Sequence, residues 1–425
     1  MRLGLFVVTA LPSRTDPVSK LRNVTGNRVH SKRRLIGRAE WRSKIMKVAF
    51  VAFDFGEYCA RLASGIADAK DTKVLMFLSQ EEATPYLHLI SDSVERRIFV
   101  KPRIRQFFQQ LKMVFSLVTQ IRAFDPDVIH LQLGHMWFNL LALPFLRKYP
   151  LVLTVHDSLI HVGDKSTAKT PQWVYDLACF RARERIVHAP QVKELLVKRL
   201  GIPADTVQVI PYVIVGDVDV TIGEDVMEEP LVLFFGRIWP YKGLDYLIRA
   251  EPLITSKVPE AKIVIAGTGE DFEKYRRLMV NPDKFIVINE FVSDEKRAEL
   301  FRRASLVVLP YIEASQSFII SIAYRFGKPV VATTVGGLPE MVDDGRTGFL
   351  VPPRDIDALA GAVVRLMQDD VLRKRFGDNG MQKVNVECAP EVVGRQTRVV
   401  YRRAINDSPV KEYGVGKQSS SASSS

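Results

Sequence analysis

The chain has 425 residues, 47% of them hydrophobic and 25% charged, which is enough for two ordinary globular domains with sizeable cores. Its three cysteines lie far apart, and no apolar run approaches the roughly 18 residues of a membrane span, which argues against a disulfide framework, a zinc site and a transmembrane protein. The formal net charge of +12 is uneven, because residues 1–45 hold 11 Lys and Arg residues but only two acidic ones, so it is weak evidence for a nucleic-acid partner.

Residues 1–45 show no sustained apolar period and are predicted to be a basic, disordered extension. Residues 3–11 faintly resemble a short signal peptide, but no convincing cleavage site follows them. Met46 directly precedes a clean first strand, which favours an over-long gene start over a removed targeting segment. Binding of nucleic acid through this extension is one alternative function, and it would be sensitive to salt.

Two apolar runs, residues 47–53 and 73–78, are predicted to be strands of a parallel sheet that is covered on both faces. Strands and helices alternate as far as residue 212, which predicts an α/β domain. Further strands of this half are predicted at residues 127–132, 151–157, 185–188 and 206–212, with helices at 105–124, 171–185 and 192–200.

The predicted helix at residues 105–124 carries an apolar stripe at the i, i+3 and i+4 spacings of an amphipathic helix. We expect this stripe to pack in the core. Contact with a membrane surface is the alternative, because Arg105, Lys112 and Arg122 lie on the same helix. The stripe consists of Phe107, Phe108, Leu111, Val114, Phe115, Val118 and Ile121.

Two histidines, His130 and His156, lie at the carboxyl ends of predicted strands. In a doubly wound sheet that edge faces the ligand crevice. From position alone, a ligand-facing role and a structural hydrogen bond to a neighbouring group are equally supported for each histidine.

Residues 216–230 are acidic, lack periodicity and are predicted to link the first domain to a second one. The second half repeats the alternation of strands and helices. Its strands are predicted at residues 231–235, 262–266, 285–288, 306–309 and 329–332, and the chain becomes helical again from residue 371. Residues 407–425 end in a serine-rich run that predicts a flexible tail.

A loop with two cations follows the strand that opens the second half. Gly236 ends the strand, Arg237 and Lys242 lie on the loop, and a helix opens near Gly243. Loops at this edge of an α/β sheet already favour anions, and Arg can bind a phosphate with two parallel N–H bonds while Lys adds a point charge. The pair therefore suits a diphosphate; two solvated surface cations are the alternative.

The second half resembles the donor domain of the retaining glycosyltransferases of family 4 (glycosyl transferases group 1), which have the GT-B fold. The resemblance covers residues 231–353 and rests on motifs that occur in the family's order. They are Gly236-Arg237-x4-Lys242-Gly243, Gly267-Thr268-Gly269, Leu309-Pro310-x2-Glu313, Gly327-Lys328-Pro329 and Gly336-Gly337-x-Pro339-Glu340. The first half matches more loosely, through residues 127–130 and 155–157.

The resemblance implies two doubly wound Rossmann-like domains that face each other across a cleft. We expect an acceptor domain at residues 46–213, a donor domain at 217–390 and a crossover helix at 391–406. The implied reaction transfers a hexose from a nucleotide diphosphate sugar to a glycan or lipid-linked acceptor with retention of configuration. The implied location is cytoplasmic, with peripheral contact to the membrane as an option, and no nucleic acid is expected as a partner.

The resemblance also assigns residue roles. Arg237 and Lys242 would bind the diphosphate, so that no metal ion or other cofactor is expected, and Glu313 and His156 would act at the transferring sugar. Gly236 would belong to the donor loop, and the remaining donor contacts are expected from Gln316, Ser317 and Ser321.

The sequence departs from the family pattern at several positions. A second glutamate expected eight residues after Glu313 is replaced by Ser321 or Ile322, Phe318 stands where a glycine is usual, and the first glycine-rich loop is reduced to Gly56. These departures motivate an alternative function, a nucleotide-sugar-binding or scaffold protein that has kept the fold without turnover.

Overall fold

The structure is a computed structural model that describes residues 45–156, 170–216 and 227–406. The predictions for residues 1–44, for Asp157, for most of the linker and for the tail at 407–425 lie outside these ranges. The described residues, from both halves of the chain, belong to one compact unit.

The first half contains a parallel sheet of seven strands in the order β3-β2-β1-β4-β5-β6-β7. Its strands are β1 Met46–Ala52, β2 Thr72–Ser79, β3 Val94–Phe99, β4 Val128–Gln132, β5 Leu151–Thr154, β6 Glu184–Val187 and β7 Val207–Val209. The second half contains a parallel sheet of six strands in the order β10-β9-β8-β11-β12-β13. Its strands are β8 Leu231–Phe235, β9 Lys262–Ala266, β10 Phe285–Ile288, β11 Leu306–Leu309, β12 Val330–Thr333 and β13 Gly348–Val351.

Successive residues of the central strands enter different cores, which explains their continuous apolar sequences. In β1, Val48 and Phe50 belong to one hydrophobic cluster, whereas Ala49 and Val51 belong to another on the opposite face. Strand β8 divides its residues between two clusters in the same way. Both sheets are therefore covered on both faces, as the sequence predicted. The first cluster contains residues of both halves, so it also joins the two domains.

Most of the helices connect parallel strands, and the last three follow the last strand, β13. The helices are α1 Gly56–Ala67, α2 Gln80–Ala83, α3 Phe107–Phe124, α4 Leu143–Phe145, α5 Gln172–Arg181, α6 Pro190–Leu200, α7 Leu244–Thr255, α8 Glu273–Arg276, α9 Asp294–Arg303, α10 Phe318–Arg325, α11 Leu338–Met341, α12 Ile356–Gln368, α13 Asp370–Glu387 and α14 Pro390–Asn406.

The last helix, α14, returns from the second domain and packs on α1 of the first. The two helices approach closely at Gly65 and Gly394, where a Cβ on either glycine would collide with the backbone of the opposite helix. Arg398 fixes the crossing with bonds of 3.0 Å from Nη1 to the carbonyl oxygens of Gly65 and Ile66.

The expectation that the whole apolar stripe of α3 packs in the core is wrong. Val114, Val118 and Ile121 are buried, but Phe108 is 83% exposed and Phe115 is 74% exposed. The apolar residues of this helix occupy two faces, and only one of them lies against the sheet. The other face points away from the domain.

Two edge strands were not predicted from the sequence. Strand β3 contains Glu95, Arg96 and Arg97 and is mostly exposed, and β13 is a short strand at the edge of the second sheet. An edge strand contacts one neighbour and is partly solvated, so it does not need the continuous apolar sequence that reveals a central strand.

Candidate active site

The loop after β8 begins at Gly236, whose φ of 116° is a conformation that side-chain-bearing residues rarely adopt. A Cβ at Gly236 would meet only the side chain of Ile319, with Cδ1 at 3.8 Å, so this glycine lies beside the first turn of α10. Ile238 N donates to Thr268 O at 3.0 Å and Glu270 N donates to Ile238 O at 2.9 Å, which attaches the loop to the turn after β9. Arg237 lies on this anchored loop with its side chain exposed.

Lys242 ends a short 3-10 turn, Pro240–Lys242, immediately before α7. Its Nζ lies 3.7 Å from the ring centroid of Tyr311, which follows β11 and is 1% exposed. The next residue, Gly243, has φ 62°, and a Cβ there would collide with the carbonyl oxygen of Pro310. The close approach of these two backbones therefore places the lysine over the tyrosine ring.

Glu313 lies on the loop after β11. This loop is next to the one that carries Arg237 and Lys242, which is called the cation loop below. The carbonyl oxygen of Tyr241 accepts from the N–H of Ile312 at 2.9 Å and from the N–H of Glu313 at 3.4 Å. The Glu313 side chain is exposed. The structure therefore brings Arg237, Lys242 and Glu313 to the carboxyl edge of the second sheet, on two loops joined by backbone hydrogen bonds.

Ser317 precedes α10, and its hydroxyl lies 3.1 Å from the hydroxyl of Tyr311. Burial raises the pKa of Tyr311, and the hydrogen bond to Ser317 and the charge of Arg237 oppose this rise. The tyrosine therefore stays a neutral phenol between Lys242 and Ser317. It is the residue that joins the predicted donor contacts, and no sequence motif indicated it.

Gln316 and Ser321 carry buried side-chain oxygens that have no hydrogen-bond partner, Gln316 Oε1 and Ser321 Oγ. Gln316 lies next to Gly337 and is partly exposed as a residue, so a change of rotamer would present its amide oxygen to a ligand with a donor group. Ser321 is 0% exposed within α10, so in this conformation a ligand does not reach it. A donor contact by Ser321 stays a prediction that the conformation does not favour.

His156 follows β5 and is 2% exposed. Its Nε2 lies 3.1 Å from Gln132 Oε1, and because an amide oxygen only accepts, this nitrogen carries a hydrogen. Its Nδ1 lies 3.2 Å from the hydroxyl of Tyr212. Both ring nitrogens are therefore bonded within the first domain, and the role at the transferring sugar stays a prediction.

His130 lies within β4 and is 0% exposed. Its Nδ1 is 2.6 Å from the hydroxyl of Tyr401 on α14, and its Nε2 is 2.7 Å from Thr154 Oγ1. Burial lowers the pKa of His130 to about 3, so its imidazole is neutral. These contacts favour the structural alternative for this histidine, since they connect the crossover helix to the first sheet.

Aromatic rings fill the space between the two domains beside His156. Phe55 stacks on His156 with 4.1 Å between ring centroids, and Phe318 of the second domain lies 4.4 Å from Tyr212. Phe55 has φ 64°, a left-handed conformation that costs roughly 1–2 kcal/mol for a residue with a side chain. The two departures from the family pattern, at the first loop and at Phe318, thus meet in one cluster.

Two Rossmann-like domains, each built on a parallel sheet, are the architecture of the GT-B class of fold. HepE from Anabaena, solved with UDP-glucose, has this fold with a TM-score of 0.64 and 19% identity, over 84% of this chain and all of that one. A family model described as Glycosyltransferase Family 4 matches residues 56–214, and one described as Glycosyl transferases group 1 matches residues 229–369. The chain belongs to this family of glycosyltransferases.

Two curated relatives support the assignment. An alpha-D-kanosaminyltransferase of Streptomyces kanamyceticus is 27% identical over 60% of this chain and 70% of its own length. A D-inositol 3-phosphate glycosyltransferase of Mycobacterium marinum is 33% identical over 42% of this chain, and this chain spans only 40% of that relative. The two names differ, so they do not assign a sugar or an acceptor to this chain.

Proposed function

We propose that the chain transfers a hexose from a nucleotide diphosphate sugar to a glycan or lipid-linked acceptor, with retention of configuration. The observation that carries this proposal is the joining of Arg237 and Lys242 to the loop of Glu313 and to the start of α10. A diphosphate at this place would meet two cations and the N–H groups of a helix N-terminus. UDP is the first donor nucleotide to test, because the structural neighbour HepE was solved with UDP-glucose.

The two cations would act on the leaving group. As the sugar departs, negative charge develops on the diphosphate, and fixed cations stabilise that charge more than they stabilise the bound donor. Tyr311 holds the Lys242 ammonium over its ring before any ligand arrives, so little reorganisation is needed. We therefore propose that no metal ion is required for departure of the nucleotide.

Glu313 and His156 take the sugar side of the reaction in this proposal. The Glu313 carboxylate is exposed on the loop next to Lys242, where it can accept hydrogen bonds from sugar hydroxyls. His156 lies in the first domain, close to Phe318 of the second through Phe55 and Tyr212. Its contact with the anomeric centre would require the aromatic cluster to open.

A thermal-shift panel of nucleotide sugars tests this function. A ligand at a hundred times its dissociation constant stabilises the fold by roughly 2.7 kcal/mol, which is readily measured as a rise in Tm. We expect at least one nucleoside diphosphate hexose to stabilise the protein, and the bare nucleoside to have no comparable effect. A complete panel without any stabilising nucleotide would contradict the proposal.

A nucleotide-sugar-binding protein without turnover is the second candidate. It is favoured by one observation, the buried Ser321 at the place where the family pattern has its second glutamate. Incubation of the stabilising nucleotide sugar with an acceptor panel separates the two candidates. Release of the free nucleoside diphosphate supports transfer or hydrolysis, whereas binding without any release supports the second candidate.

We propose that the enzyme works at the cytoplasmic face of a membrane, as a peripheral protein. Glycan acceptors that are built on a lipid carrier stay at the bilayer surface, so an enzyme that uses them gains from binding there.

A further inference from the structure

The outward face of α3 is apolar and cationic. Phe108, Leu111 and Phe115 are spaced by three and four residues and therefore lie on one side of the helix. Phe108 is 83% exposed, Phe115 is 74% exposed, and Lys112 lies between them in sequence, also exposed. These side chains are not needed for the domain core, which the helix contacts with its other face.

The same surface continues beyond the helix. Arg122 Nη2 donates to the carbonyl oxygen of Phe145 at 2.8 Å, and Phe145 is 60% exposed. Arg181 at the end of α5 donates to the carbonyl oxygen of Arg147 at 2.8 Å, which places the 58% exposed Phe180 beside this segment. Exposed aromatic rings thus come from three segments of the first domain.

The charge of this surface has one sign. Residues 100–124 contain five Lys and Arg residues and no Asp or Glu. The first carboxylate after the helix, Asp125, is paired with Lys148 at 3.2 Å. Because the helix has no carboxylate of its own, a second copy of the chain placed face to face would bring like charges together.

We propose that this surface, formed by α3, Phe145 and Phe180, docks the first domain on an anionic lipid bilayer. Protruding phenyl rings flanked by cations suit the boundary between acyl chains and headgroups, where the rings enter the apolar layer and the cations meet lipid phosphates. Phe108 and Phe115 are about 10 Å apart along the helix axis, so the helix would lie in the plane of the interface. Among the described residues, no helix is both long and apolar enough to cross a bilayer.

This inference extends the proposed function, since it supplies the membrane contact that a lipid-linked acceptor needs. It stands apart from donor binding, because the surface is built from the first domain alone. A failure of the membrane-docking proposal can therefore be distinguished from a failure of donor binding.

Co-sedimentation of the full chain with vesicles tests the proposal. We expect binding to phosphatidylcholine vesicles that contain phosphatidylglycerol, weak binding to pure phosphatidylcholine, and release at high salt. The double variant F108S/F115S should partition at least ~10-fold more weakly, because burial of one phenyl ring contributes about that factor or more. The double variant K112E/R122E should bind the anionic vesicles on the order of 10-fold or more weakly, since each cation near an anionic surface contributes about a factor of five to the affinity.

A matched control is Phe291→Ser, because Phe291 is 87% exposed on the second domain and follows Glu290. This variant should bind vesicles like the wild type. UDP titration of all three variants should give unchanged affinity, which shows that the folds are intact and that donor binding is separate.

Several outcomes would overturn the proposal. Absence of wild-type binding to the anionic vesicles is one. Undiminished binding by F108S/F115S would assign the attachment to another part of the chain, such as the basic residues 1–45. A loss of vesicle binding in Phe291→Ser as large as that in F108S/F115S would indicate unspecific adsorption. A wild-type dimer in solution that F108S/F115S dissociates would make the surface a contact between copies of this chain.

Discussion

The Lys242 ammonium lies 3.7 Å from the centroid of the Tyr311 ring, and the two residues come from loops that follow different strands of the second sheet. Tyr311 is almost fully buried, so its ring is a fixed platform for the cation. This relationship explains how a flexible lysine is positioned before a ligand binds.

Replacing the aromatic ring of Tyr311 should weaken the binding of a nucleoside diphosphate. We expect Tyr311→Leu to lower UDP affinity about 5- to 30-fold, which corresponds to roughly 1–2 kcal/mol for a cation–π contact. Tyr311→Phe keeps the ring and loses only the hydroxyl contact with Ser317, so its affinity should stay close to that of the wild type. Calorimetric titration measures both. Equal affinities for Tyr311→Leu and the wild type would show that the ring does not position the lysine.

His156→Ala should lower turnover far more than donor affinity, because its proposed role concerns the transition state. The substitution also removes the hydrogen bonds of the imidazole to Gln132 Oε1 and to the Tyr212 hydroxyl, so the free energy of unfolding should fall by about 1–3 kcal/mol. Tyr212→Phe is the control, since it removes one of these hydrogen bonds and keeps the imidazole. Similar losses in kcat and donor affinity for His156→Ala would assign the residue to simple binding.

The sequence was sufficient to predict the central strands of both sheets and the cation loop. Strands such as β1 and β8 are covered on both faces, which requires continuous apolar runs, and Gly236, Arg237 and Lys242 lie within seven residues of one another. These features involve residues that are close together in the sequence, so they can be predicted from it.

The contacts around the site could not be predicted in the same way. Tyr311 meets Lys242 across 69 residues, and Phe318 meets Tyr212 across a domain boundary, so neither pairing leaves a periodic signal. The outward face of α3 was misassigned for a related reason. A helix with apolar residues on two faces has the composition of a buried helix, and only the position of the sheet shows which face is covered.

The crossing of α1 and α14 makes a stability prediction. Gly394→Ala would force a methyl group into the backbone of Gly65, so we expect the free energy of unfolding to fall by roughly 1–3 kcal/mol. Gly361→Ala on α12 is the matched control, because no atom lies within 4 Å of its added Cβ, and it should raise stability by about 0.5–1 kcal/mol. Chemical denaturation measures both. A Gly394→Ala variant as stable as the wild type would contradict the close crossing.

Stability should also depend on pH through His130. Its folded pKa of about 3 lies below the ordinary 6.5, so the unfolded chain binds a proton that the folded protein does not as the pH falls below 6.5. The stabilising effect of the neutral imidazole is thus fully present above pH 6.5 and is lost progressively toward pH 3. The slope for one such proton is about 1.4 kcal/mol per pH unit.

His130→Gln removes this titration and retains hydrogen-bonding groups toward Tyr401. Its unfolding free energy should therefore fall less steeply between pH 6.5 and the acid range than that of the wild type. His135, whose pKa burial lowers to about 4, contributes in the same direction to both proteins and cancels in the comparison. If the unfolding free energies of the two proteins depended on pH in the same way, this result would contradict a neutral buried His130.

The most direct test of the account is calorimetric titration of UDP into the wild type and variants of the cation loop. Arg237→Ala and Lys242→Ala should each weaken binding by roughly 30-fold or more, since loss of one partner from a partly desolvated charge pair commonly costs about 2–5 kcal/mol. Arg237→Lys should recover only part of the affinity, because it keeps the charge and loses the bidentate hydrogen bonding to the phosphate. Arg249→Ala, which removes an exposed cation on α7, should bind UDP like the wild type. A folded double variant R237A/K242A that binds UDP with wild-type affinity would contradict the central claim that these two cations hold the donor diphosphate.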